Sequence, residues 1–125
     1  MTIRGAELAV TLARTVIEEN LEARLLAIAQ DADDGLYVPA IRAGLAPDGG
    51  FYEWNAEVDV IDQFPACTIH AQESAPGEGI DANVLAQIHR VTIAFWDISP
   101  DGRTDLLVKR LWRYEAAIKD LFVYR

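Results

Sequence analysis

The sequence predicts an α+β fold, a small antiparallel sheet with an N-terminal and a C-terminal helix packed on one face, plus a loop or hairpin arm. Three observations carry this. Apolar residues recur at helical spacing over 5–30 and again over 104–123. Residues 66–72 and 84–98 alternate with period two, as half-buried strands do. The strands lie together between the two helices rather than alternating with them, which is the α+β order.

In the first helix, Val10, Ala13, Ile17, Leu21 and Ile28 form one stripe, and Glu7, Thr11, Arg14, Glu18 and Glu22 fall opposite it. Leu8, Leu12 and Leu26 lie on a second apolar side. That arc is wider than one small core needs, so the helix is covered on two sides within the domain or partly by another subunit. Asp31-Ala32-Asp33-Asp34-Gly35 predicts the terminator, with Gly35 able to take the left-handed conformation. The segment 35–65 is loop-rich, with a turn at Ala46-Pro47-Asp48-Gly49-Gly50. Phe51-Tyr52-Glu53-Trp54 and Val58-Asp59-Val60-Ile61 read as short strands of a hairpin arm or an edge.

Within 66–72, Cys67, Ile69 and Ala71 alternate against Thr68 and His70. Ser74 to Gly79 breaks the pattern as a loop. In 84–98, Val91, Ile93 and Phe95 make one face; Arg90, Thr92, Ala94 and Trp96 make the other, which is left partly apolar. Ser99-Pro100-Asp101-Gly102 turns the chain. The final helix carries the stripe Leu107, Leu111, Tyr114, Ile118 and Leu121, with Thr104 as N-cap, Asp105 in the first turn, and Lys119 and Arg125 at the far end. The reading is one domain over 1–125, with 31–64 an acidic loop or arm.

Charge is distributed unevenly. Residues 31–81 hold eleven acids against Arg42 alone, while 101–125 are net basic, within an overall charge of −9. An acidic surface repels nucleic acid at long range. The first residues lack the apolar core of a signal peptide, and no uncharged run is long enough to span a membrane. Cys67 is the one cysteine, which suits a reducing compartment.

The catalytic templates each fail on a named residue. An EF-hand beginning at Asp31 needs glycine and glutamate at its sixth and twelfth positions, where Leu36 and Arg42 stand. Cys67 and His70 have an odd spacing that points them to opposite strand faces, and His89 cannot complete a zinc site with them. Lys109 and Lys119 follow Leu107 and Ala117 at the distance where a two-acid nuclease needs an acid. Gly49-Gly50 and Gly77-Glu78-Gly79 lack the lysine of a phosphate loop. Asp59 and Asp62 read as a chance pair in an acidic segment. Lys109, Arg110 and Arg113 read as a solvated helix face or an intersubunit salt bridge. No catalytic, cofactor or metal-ligating residue is expected.

Val91-Thr92-Ile93-Ala94-Phe95-Trp96, a short turn, and a helix bearing Arg113-Tyr114-Glu115-Ala116-Ala117-Ile118-Lys119-Asp120-Leu121 follow a proline-opened strand, Pro65-Ala66-Cys67-Thr68-Ile69. This arrangement resembles the tail-terminator and tail-completion (head–tail joining) proteins of tailed bacteriophages and phage-like particles. It covers 65–122, and 5–30 by pattern; 31–64 is longer and more acidic than the family pattern. The resemblance implies a non-enzymatic virion subunit, assembled in the bacterial cytoplasm. Such subunits form a homo-oligomeric, commonly hexameric ring at the head-proximal end of the tail tube. Its partners would be tail-tube subunits and connector or stopper proteins, with DNA passing through without tight binding. A head-completion or stopper subunit is the alternative, and a small cytoplasmic enzyme or regulatory module a second. Phe51, Tyr52, Glu53, Trp54, Asp59, Asp62, Trp96, Arg110 and Arg113 are the expected interface residues. Asp48, Glu53, Glu57, Asp59 and Asp62 are expected on a projecting arm or ring-facing loop that contacts a neighbouring subunit or lines the channel, and its deletion over 50–60 would spare the fold but block assembly.

Overall fold

The computed structural model describes residues 5–73, 89–98 and 102–122. The expected loop at 74–79, the first part of the 84–98 strand, most of the 99–102 turn and Arg125 lie outside the described residues. Helix α1 spans Gly5–Ala32, strand β1 Phe51–Tyr52, β2 Ala66–Glu73, β3 His89–Trp96, and helix α2 Thr104–Phe122.

The class is α+β, as the sequence predicts. The sheet, however, is mixed. β2 and β3 pair antiparallel from Ala66↔Trp96 to Glu73↔His89, while β1 adds on the far edge of β2 in parallel, Phe51↔Cys67 and Tyr52↔Thr68. The parallel sense follows from the turn at 44–50. Gly50 N donates to the Arg42 carbonyl at 2.8 Å, and Cys67 N donates to the Gly50 carbonyl at 2.9 Å, so the chain enters β1 already alongside β2. Val58–Ile61, expected as a strand, is instead a turn, with Ile61 N donating to the Val58 carbonyl at 3.2 Å.

The main core lies between the sheet and both helices. Val10, Ala13, Ile17, Leu21 and Leu25 of α1 meet Cys67 and Ile69 of β2 and Tyr114 and Ala117 of α2, with Val91, Ile93 and Phe95 packed against them. Burying such side chains contributes roughly 1.5–3 kcal/mol each before entropy is counted. Alternation along β2 turns Cys67 and Ile69 to the helices and Thr68 to the opposite face. There a second, smaller core forms from Tyr52, Ala56, Ile61 and Ala66, flanked by Phe64 and Trp96. Trp96 Nε1 donates to Thr68 Oγ1 at 3.1 Å across the strands. The expected open second face is therefore covered at its Trp96 end by residues 52–64, while Thr92 stays exposed.

This packing overturns the projecting arm. Phe51 is buried in the main core, and Tyr52, Ala56 and Ile61 make the second one. The aromatics at 51–54 that suggested an interface are largely core residues at a sheet edge.

Helix α1 ends as its sequence predicts. Asp33 and Gly35 adopt positive φ, and Leu36 N donates to Asp34 Oδ1 at 3.1 Å. No helix among the described residues is long and apolar enough to cross a membrane.

Candidate protein-interaction surfaces

The polar residues singled out as candidates are, for the most part, internal tethers. Arg113 is buried; its Nη1 donates to the Leu36 carbonyl at 2.7 Å and its Nη2 to Asp34. Lys109 reaches the same carboxylate at 2.8 Å. Tyr114, fully buried, stacks on Phe95 with ring centroids 4.7 Å apart and donates its hydroxyl to the Pro39 carbonyl at 2.6 Å. Burial pushes its phenol far up. The Arg-Tyr pair thus fastens the strand-free segment 34–39 to α2. The expected carboxylate partner of Arg113 and polar partner of Tyr114 are both present, and both are intramolecular.

Arg110 is likewise held within the chain. It lies against Asp97, whose side chain is only 2% exposed, with Nε and Oδ2 2.8 Å apart. Neither atom has a hydrogen bond of acceptable direction, so the contact is an ion pair held by charge rather than by an aligned N–H···O. Trp96 belongs to the second core. Glu53 accepts from Arg14 Nε at 2.9 Å and from Thr11 Oγ1 at 3.2 Å. Glu18 in turn accepts from the Gly44 amide at 2.8 Å. The polar face predicted for α1 is therefore partly a bonding face that secures 44–53. Asp59 and Asp62 are exposed. Cys67 is buried, and burial pushes its thiol up to about 12, which removes it as a nucleophile.

Two surfaces stand out among the described residues. The first is an apolar groove where α1 and α2 diverge over β3. Its volume is about 410 Å³ where Leu12, Val16, Val91, Ile93, Ile118 and Phe122 line it. A neighbouring hollow of the same size runs on past Phe95 and Leu111. Leu12 is 56% exposed and Phe122 41%. The sequence indicated Leu12 as surplus and put Leu111 and Ile118 on the apolar stripe of the last helix. The most buried positions of α2 are Arg113, Tyr114, Ala117 and Leu121; Tyr114 and Leu121 belong to the predicted stripe, and Leu111 and Ile118 pack half-buried against the core. Ala117 faces the core between Tyr114 and Leu121, and Leu111 and Ile118 flank that contact.

The second surface lies at the β1 edge, where Trp54, 51% exposed, stands between two hollows of about 360 and 490 Å³. Trp54 also meets Tyr52 edge-on, with ring centroids 6.0 Å apart. Sequence reasoning missed Trp112, 65% exposed on the outer side of α2 one turn after Val108. Its four-residue spacing from Val108 was the available signal.

Comparison of the chain with family models, with curated proteins and with solved structures finds no match.

Proposed function

We propose that this chain is a non-enzymatic structural subunit that associates with copies of itself, of the tail-terminator type found in tailed bacteriophages and phage-like particles. In this reading it forms a ring at the head-proximal end of a tail tube and joins tail to head. The observation that carries the self-association is the apolar groove between α1 and α2. A gap that leaves Ile93 and Ile118 accessible beside the exposed Leu12 and Phe122 is an apolar surface of the kind that subunits cover. Head-to-tail contacts close into rings when the rotation permits. The net charge of −9 suits a channel for duplex DNA, because like charge keeps the duplex from adhering. The resemblance over 65–122 supplies the particle and the position in it.

The test is the mass of the purified protein in solution, alone and after mixing with tail-tube subunits of a candidate particle. A closed oligomer, or a discrete complex capping the tube, is expected. A monomer under both conditions at every accessible concentration would overturn the reading.

A further inference from the structure

We propose that the Trp54 ridge docks a basic, apolar-anchored segment of a different polypeptide. The surface shares no lining residue with the groove between the helices, so this proposal goes beyond the ring reading. Trp54 and Glu53 line both hollows. One adds Leu45, Val60 and Asp62; the other adds Glu7 and His70. Trp54, Val60 and Leu45 are each about half exposed. An aromatic ridge between two hollows is the form that anchors a partner's apolar side chains.

Charge decides the partner. The charged side chains lining the two hollows are all acids. Exposed Asp48, Glu57 and Asp59 extend the same sign in the adjoining chain. Among the described residues, none of these three, nor Glu7 or Asp62, is in an ion pair. A second copy is a poor match. Of the lysines and arginines whose side chains are described, all but Arg42 are already in an intramolecular ion pair, and each copy carries −9. Nucleic acid and anionic lipid are repelled. The complementary occupant is a segment whose lysines or arginines meet Asp62 and Glu7 while its apolar side chains enter the hollows beside Trp54.

The experiment measures binding of labelled synthetic peptides by fluorescence anisotropy. The probes are alternating lysine–leucine, alternating glutamate–leucine and alternating lysine–serine peptides. The lysine–leucine peptide is expected to bind in preference to both others, and more weakly as salt rises from ~0.05 to ~0.3 M. Trp54→Ala and Asp62→Lys are each expected to weaken it about tenfold, as loss of an interface anchor does, with Trp112→Ala unchanged. Thermal unfolding checks that the variants fold; Asp62 is exposed and serves if Trp54→Ala does not. Absence of binding overturns the proposal, as does undiminished binding to the variant that folds. Equal binding of either control peptide, or an equal loss in Trp112→Ala, overturns it too. If Asp62→Lys lowers the self-associated mass of the protein, the occupant is a second copy and the proposal also fails. The ring reading is judged by mass alone, so the two can fail separately.

Discussion

Asp34 ties the end of α1 to the middle of α2, and it does so as an anion. A hydrogen bond from Lys109, the Leu36 amide and the charge of Arg113 hold its carboxyl at about 2, below an ordinary value of 3.8. A folded-state pKa below the unfolded one means stability that is complete above about pH 4 and is lost as pH falls toward 2. Thermal unfolding followed across that window should show the wild-type midpoint falling steeply. Asp34→Asn should start lower at neutral pH and give a flatter profile over the same range; an unchanged profile would refute the assignment. The sequence marks Asp34 as part of a helix terminator. It does not reveal the tether, because Arg113 is 79 residues away and acidic helix ends are common without such partners. Gly49 is legible in a simpler way, since a turn rich in glycine predicts a tight backbone. A Cβ there would sit 2.0 Å from the Gly44 carbonyl oxygen and 2.4 Å from that of Ala43. Gly49→Ala is expected to cost on the order of 1–3 kcal/mol by forcing the backbone apart, as measured by chemical denaturation.

At the scale of elements, periodicity located both helices, β2 and the described part of β3 because each has one face on a common core. The short edge strand read at Phe51–Trp54 is β1, but its two-residue length and parallel sense were not legible. Two residues are too few to show a period, and a parallel edge strand depends on a turn geometry that composition only suggests. The same limit explains the arm. Alternating aromatics and acids looked like a projection, yet Phe51 and Tyr52 are buried and Glu53 is bonded to α1. Deletion of 50–60 therefore removes core contacts and the edge strand, and is expected to abolish cooperative unfolding. A deleted protein with a wild-type transition would restore the arm. Depth of burial in the two helices gives a graded check on the packing. Ile17→Ala, fully buried, should cost about 2–5 kcal/mol. Leu111→Ala, half-buried at the groove, should fall below about 2 kcal/mol, because no sealed cavity is left behind. Equal costs at the two sites would show Leu111 to be sealed rather than half-buried beside the groove.

For the whole molecule, the two proposed contacts should respond to salt in opposite directions. Contact through the groove would bring together chains of charge −9, so the proposed self-association would be driven by apolar burial and opposed by repulsion. Raising salt screens that repulsion over about 8 Å at ~0.15 M and shorter distances beyond, so the oligomer should strengthen. Contact at the Trp54 ridge joins acids to a cationic partner and should weaken over the same range. A charge placed in the groove separates the effects further. Leu12 and Phe122 are exposed enough that Leu12→Glu or Phe122→Glu should leave the monomer folded. In an oligomer the new carboxylate would be buried without a cation, which costs several kcal/mol. These variants are therefore expected to unfold thermally near the wild-type temperature, yet remain monomeric by light scattering at concentrations where wild type associates. They should still bind the lysine–leucine peptide. An associated, folded Leu12→Glu variant would show that copies meet through another face, and the exposed Trp112 on the outer side of α2 would then be the place to look.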